Sequence, residues 1–235
     1  VRGKKNKQQD YLKEALSQRY EIVSLIGKGG MANVYRAIQK GLDREIALKV
    51  IHPHILNDNE LLGRFRLEAK SVARLNHPRV ITIYDVGEAD EQLFMALELL
   101  HGEDLSQLLK KQGPLSVEKT LELFIPLAEA LHYVHEQGVV HRDLKPSNIF
   151  IDANRGPVLM DFGIATLRQG TTGLTTAGSI IGTPEFMSPE QANAQKVDHR
   201  SDIYSLGVVI FMCLSGQVPF KGDTPLTTLQ QISNS

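Results

Sequence analysis

The chain has 235 residues, with 26 Lys and Arg against 27 Asp and Glu, a formal net charge of −1, 42% hydrophobic and 23% charged residues. That length suits one large domain or two small ones, and the composition is globular rather than disordered. The balanced charge excludes a general pull toward nucleic acid or anionic membrane, and the longest apolar run, residues 206–214, is far shorter than the roughly 20 residues of a spanning helix.

Residues 1–19 are polar, carry Lys4, Lys5 and Lys7, and read as a solvated extension leading into a short helix. Residues 20–26, 32–38 and 45–51 are short, rich in β-branched and apolar side chains, and separated by glycine-containing turns, which predicts strands. Between 61 and 75 the pattern changes: Leu61, Phe65, Ala69 and Val72 recur every three or four residues, the spacing of a helix. Pro78 ends that helix, because proline restricts the residue before it and cannot donate to the ladder. Residues 80–86 and 92–97 return to strand, giving a five-stranded antiparallel sheet with one helix.

Beyond Gly102 the chain reads as helical. Ser116 caps a long helix to residue 137, with Leu121, Phe124, Ala128, Leu131 and His135 along one face. Gly138 suits its C-terminal end, and Pro126 predicts a kink. Residues 149–151 and 157–160 form a hairpin. Residues 201–215 form a helix apolar nearly all round, expected to be a buried spine and stopped by Gly216. Thr224 and Pro225 start one more helix. Two regions of different class invite a cleft, and clefts hold ligands. The single cysteine, Cys213, excludes an internal disulfide and suggests a reducing, cytoplasmic setting; it reads as an inert core thiol. No signal peptide is read at the start, and the two ends read as those of a piece of a longer protein.

Four segments carry chemistry. Gly27-Lys28-Gly29-Gly30-Met31-Ala32-Asn33-Val34 lies between two strands, where glycines let backbone N–H groups approach a phosphate. It is not a Walker loop, since Lys28 is not followed by Ser or Thr, and it is not a dinucleotide motif, since a strand follows it. Lys49 sits in a strand suited to burial, so it needs a partner; Glu68 on the first helix is the natural one, although a solvent-facing lysine and an unrelated glutamate fit this pair equally well. The third segment, His141-Arg142-Asp143-Leu144-Lys145-Pro146-Ser147-Asn148, is followed by the fourth, Asp161-Phe162-Gly163. Asn148 and Asp161 offer hard oxygens to Mg²⁺, Asp143 can take a hydroxyl proton, and Lys145 can neutralise a transferring phosphoryl group. The histidines read blandly: His132 and His135 as helix-face residues rather than metal ligands, His52 and His54 as a surface loop, His141 as packing under Phe162.

From Tyr20 onward these motifs, in this order, resemble the protein-kinase superfamily. The resemblance implies an α+β, two-lobed fold: an N-lobe of five antiparallel strands and one helix over about 20–97, a hinge near 98–101, and a mainly helical C-lobe from about 102 to 235, cut short of the family's last helices. It implies that Ile26, Gly27, Lys28, Gly29, Gly30, Met31, Ala32, Asn33 and Val34 cover ATP. It also implies that Lys49 binds the α- and β-phosphates and pairs with Glu68, and that Asp143 is the catalytic base, with Lys145 and Asn148 beside it. Asn148 and Asp161 would bind Mg²⁺. Residues 97–100, Glu98 and Leu100 among them, would meet adenine between Val34, Ala47 and Phe150, and Asp104 is a weaker ribose candidate.

Lys145 and the run Gly182-Thr183-Pro184-Glu185 look like a serine/threonine kinase, and Gly29 to Tyr35 with Ser188-Pro189-Glu190-Gln191 look like its bacterial branch. The implied partners are proteins with Ser or Thr acceptors, with no nucleic acid and no membrane segment. Arg142 would receive a phosphate on the activation loop at Thr175 and Thr176; autophosphorylation there admits a homodimer without requiring one. Two rivals are a catalytically impaired scaffold that binds nucleotide and a small-molecule phosphotransferase. Ala32 stands where the family has a third glycine and Ser188 where it usually has alanine. The family's late arginine has no counterpart, which predicts an unpaired, buried Glu190 and uncovered apolar surface on the helix at 201–215.

Overall fold

The computed structural model describes residues 16–30, 32–52, 67, 69–89, 92–162 and 183–234. They fall into two compact units, one ending at Arg74 and resumed by Ile81–Leu100, the other formed by Leu75–Val80 and the residues from His101 onward.

The first unit is a five-stranded antiparallel sheet. Its strands are β1 (Tyr20–Lys28), β2 (Ala32–Gln39), β3 (Arg44–Ile51), β4 (Ile83–Ala89) and β5 (Gln92–Glu98), in spatial order β1-β2-β3-β5-β4. Alternation sorts the two faces. One face gathers Tyr35, Ala37, Ile46, Leu48, Val50, Phe94 and Ala96 into a core that also takes Leu16 and Tyr20. Leu16 is thus 2% exposed, so the polar extension ends before it. Arg19 and Tyr20 both bond Asp85, the latter through its hydroxyl at 2.8 Å, tying β1 to β4. Burial, then the Asp85 carboxylate, push the Tyr20 hydroxyl well above its ordinary pKa.

The strand expected at 80–86 starts later, at Ile83. Val80 makes a parallel bridge to Leu159 instead, and its N–H closes a turn onto the His77 carbonyl at 3.0 Å. Of the helix expected at 61–75, Leu67 and residues 69–72 are helical, with Ala69 and Val72 buried; Leu61 and Phe65 lie outside the described residues.

The second unit opens with β6 (Gly102–Asp104), a strand that sequence reading misses, followed by α1 (Leu105–Gln112). β6 joins β7 (Ile149–Asp152) and β8 (Gly156–Leu159) in a three-stranded sheet, so the expected hairpin has a third member. At Gly102, with φ 152°, a Cβ would lie 2.1 Å from the Ile151 carbonyl oxygen, so the strand can approach only as glycine.

α2 (Val117–Glu136) starts where Ser116 predicts: the Ser116 hydroxyl accepts from Lys119 N–H. The helix continues through Pro126. Its buried stripe is Thr120, Leu123, Phe124, Leu127, Ala130, Leu131 and Val134, while Leu121 and Ala128 are exposed, so the expected face is rotated. Thr120 explains the error: its hydroxyl donates to the Ser116 carbonyl, and a threonine so satisfied buries like an apolar residue.

α3 (Pro189–Ala192), α4 (His199–Ser215) and α5 (Pro225–Ser233) complete the unit. α4 is only half a spine. Its core face is Ser201, Asp202, Ser205, Leu206, Val208, Val209 and Cys213, whereas Ile203, Phe211 and Leu214 are exposed, in line with the expectation of uncovered apolar surface. Burial pushes the Cys213 thiol up to about 12. Among the described residues no helix is long and apolar enough to cross a membrane.

Candidate active site

In the first unit, the glycine segment is the turn between β1 and β2, closed by Gly29 N–H donating to the Ala32 carbonyl at 2.9 Å; His52 Nε2 lies 3.2 Å from the Gly29 carbonyl. Register sets the face beneath it. Gly27 stands opposite Val34, Val34 opposite Lys49, and Ala47 two residues from Lys49 on the same strand. Directly opposed residues share a face, so Val34, Ala47 and Lys49 lie together on the side away from the apolar core. Glu98 closes the sheet's end: its carboxylate accepts from Thr82 N–H and its own N–H donates to the Thr82 carbonyl, both at 3.0 Å. Met31 and Glu68 lie outside the described residues, and with Glu68 the expected partner of Lys49.

The second unit holds the other constellation. The chain leaves α2 through Gly138, with φ 73°, and enters the segment 141–148. Asp202 of α4, 1% exposed, receives it: its carboxylate accepts from the backbone N–H of His141 and of Arg142, each at 2.8 Å, and from His135 Nε2 at 2.8 Å. The His141 ring packs tilted against Phe162, with centroids 4.6 Å apart, Nε2 3.0 Å from the Met160 carbonyl and Nδ1 3.4 Å from the Asp143 backbone nitrogen. Both ring nitrogens are therefore engaged, in keeping with the packing role expected of it. Arg142 has φ 64°, a left-handed conformation that costs a non-glycine residue about 1–3 kcal/mol and persists where the surroundings enforce it.

Asp143 follows directly. Its carboxylate accepts from Lys145 Nζ at 2.8 and 3.0 Å and from Asn148 Nδ2 at 2.9 Å; the same Nδ2 donates to the Asp143 carbonyl at 2.7 Å. Asn148 is 5% exposed and ends a short 3₁₀ turn, Pro146–Asn148. With Nδ2 spent on Asp143, Oδ1 is the side-chain oxygen it can offer elsewhere. Met160 N–H donates to the Asn148 carbonyl at 3.0 Å, which places Asp161, with φ 53°, at the end of a segment stitched to that turn.

Asp104 is the N-cap of α1, with Oδ1 accepting from Gln107 N–H at 3.0 Å and from the Ser106 hydroxyl, so any ribose contact falls to Oδ2. Phe150 is half-buried on β7, opposite Asp104 and Val158. Thr175 and Thr176 lie outside the described residues.

The protein kinase domain matches residues 20–235. The chain belongs to the protein kinase domain family. It is 40% identical over 223 residues to the serine/threonine-protein kinase pkn3 of Myxococcus xanthus, covering 92% of this chain and 41% of that protein. It is 41% identical over 212 residues to PrkC of Bacillus subtilis (90% and 33%), and 38% identical over 221 residues to PknB of Mycobacterium tuberculosis (92% and 35%), both named serine/threonine-protein kinases. The chain thus spans between a third and about two-fifths of these relatives' lengths.

Sequence reading gave no supporting role to three residues of this kinase domain. Asp202 is one: an acid on the core face of an apolar helix, with Ser201 and Ser205 around it, signals a polar stitch. His135, set aside as a helix-face residue, is its partner. Gln191 is the third. The Ser188 hydroxyl accepts from Gln191 N–H and the Gln191 side chain returns to Ser188 N–H, a capping box legible as Ser-x-x-Gln. Glu190 corrects an expectation: it is bonded by the Ser201 hydroxyl rather than left unpaired. Burial raises its carboxyl, but bonds from Ser201, its own backbone and Ser188 outweigh that and hold it below the usual range.

Proposed function

We propose that this chain is the catalytic domain of an ATP-dependent serine/threonine protein kinase. The observation that carries the reading is the Asp143 carboxylate, held between Lys145 and the buried Asn148 while 35% of its side chain stays open to an incoming hydroxyl. Two donors fix the carboxylate's direction, so it is ready to orient a substrate hydroxyl and take its proton as the phosphoryl group moves. Lys145, two residues on, offsets charge on the transferring group. The glycine turn and the face bearing Val34, Ala47 and Lys49 supply nucleotide contacts. Gly30 supports this reading: among the described residues a Cβ there would meet nothing within 4 Å, and its φ is not left-handed, so the fold itself does not call for glycine.

The donor set suits Mg²⁺. Asn148 Oδ1 and the Asp161 carboxylate are hard oxygens, and Mg²⁺ takes one or two protein oxygens and completes its shell with phosphates and water. When bound, the ion neutralises phosphate charge. The named relatives support Ser and Thr hydroxyls of proteins as acceptors. Autophosphorylation at Thr175 and Thr176 would regulate the enzyme through phosphate pairing with Arg142. The test is transfer of label from γ-labelled ATP to casein, with aminoglycosides as the contrasting acceptor and phosphopeptide mapping of the chain itself. Label on casein and on Thr175 or Thr176 is expected; nucleotide binding without transfer would mark a scaffold and end the reading.

A further inference from the structure

The peptide that precedes the catalytic aspartate is held from two sides. Asp202 takes the N–H groups of His141 and Arg142. From the other side, Gln191 Nε2 donates to the Arg142 carbonyl at 2.8 Å, and Gln191 Oε1 accepts from Ser188 N–H at 3.0 Å. The two contacts fix the amide's orientation, because a backbone N–H requires the oxygen and a carbonyl requires the NH₂ group. Arg142 is the residue with φ 64°, so both polar groups of the one strained residue before Asp143 are clamped by buried or half-buried side chains.

We infer that Gln191 is a positioning residue for phosphoryl transfer: its amide clasps the Arg142 carbonyl, stabilises the left-handed turn and thereby sets the direction of the Asp143 carboxylate. The inference rests on the kinase reading above. Its physical content is separable from the helix cap that Gln191 also serves. Glutamate at this position keeps the capping box, since a carboxylate accepts from Ser188 N–H as well as an amide does. It loses the clasp, since a carboxylate has no hydrogen to give the Arg142 carbonyl. Ser188→Ala does the reverse: it removes the hydroxyl that caps α3 and leaves the Gln191 amide free to reach Arg142.

The experiment compares wild type, Gln191→Glu and Ser188→Ala in the full chain by steady-state phosphorylation of casein and by hydrogen exchange across residues 140–145. Gln191→Glu is expected to lower kcat about tenfold or more, the scale on which a displaced catalytic group loses rate, with KM for ATP within about twofold. Ser188→Ala stays within about twofold of wild type in kcat. Acidification supplies the sharper sign. Protonating the carboxylate introduced by Gln191→Glu restores an O–H donor to the Arg142 carbonyl, so the activity of that variant relative to wild type rises as the pH is lowered from about 8 toward the carboxyl range. Exchange at 140–145 quickens in Gln191→Glu and not in Ser188→Ala.

Equal kcat in Gln191→Glu and wild type, a loss in Ser188→Ala as large as that in Gln191→Glu, or a pH-independent ratio overturns the inference. So does a Gln191→Glu chain that melts far below Ser188→Ala, because the residue would then be structural. A wild-type chain that transfers no phosphate refutes the kinase reading instead, and the exchange measurement still decides whether Gln191 holds the turn.

Discussion

The segment proposed to be catalytic and the glycine turn are both loops between regular elements, yet they are built in opposite ways. In the segment 141–148, backbone groups and side chains are bonded to α4, α3 and the end of β8, and two non-glycine residues nearby are held at positive φ. Among the described residues of the glycine turn, Gly29 N–H bonds the Ala32 carbonyl and His52 lies on the Gly29 carbonyl. The first region is preorganised, so its groups need no rearrangement to act. The second is built around glycines, which leave its backbone open to close approach, as the proposed contact with a polyanion requires.

The contrast predicts different responses to mutation. At the preorganised end the effects are largest. Asp143→Asn removes the proposed proton acceptor and should cost about 10²–10⁴-fold in kcat, the usual share of general-base catalysis, with ATP affinity little changed; a steady-state assay at saturating ATP measures it. Asp202→Ala orphans the N–H groups of His141 and Arg142 in a buried site. It should lower stability by about 2–6 kcal/mol, from about 1–3 for each unsatisfied group, read from urea denaturation.

Asp152 gives a smaller, pH-dependent effect. Burial raises its carboxyl, but N–H bonds from His101, Asn154 and Arg155 outweigh burial and leave it below its ordinary range. A carboxyl depressed in the folded state contributes stability above its unfolded value, near about 4, which is lost as pH falls through the folded value. Asp152→Asn should therefore flatten the acid limb of a stability–pH curve. At the glycine turn, Gly30→Ala should leave stability within about 0.5 kcal/mol while raising KM for ATP. The same change at Gly102 should unfold the β6 pairing, because there the neighbouring carbonyl occupies the space of the new methyl group. If Gly30→Ala destabilised the chain as much as Gly102→Ala, the distinction between the two kinds of loop would collapse.

The sequence made the sheet legible because alternation in β2 and β3 is strong, and it made the α2 start legible because Ser116 is followed by a helix-forming run. The stripe of α2 was read one step out of place, since hydrophobicity alone cannot see that Thr120 satisfies its own hydroxyl. β6 escaped notice because three residues, Gly-Glu-Asp, carry no apolar pattern; only the partner strand β7 makes them a strand. Asp143, Lys145 and Asn148 were legible as types in order. Their supports, Asp202 and Gln191, lie roughly 50 to 60 residues further on, and tertiary packing rather than local spacing brings them together.

Cys213 has a practical consequence. It is the chain's one thiol, fully enclosed on the core face of α4, and with its ionisation pushed up to about 12 it carries almost no thiolate at neutral pH. Maleimides and other electrophilic reporters should pass it by, so a cysteine engineered onto the glycine turn would take a fluorophore alone, turning the native protein into a ready background for watching that turn close on a nucleotide.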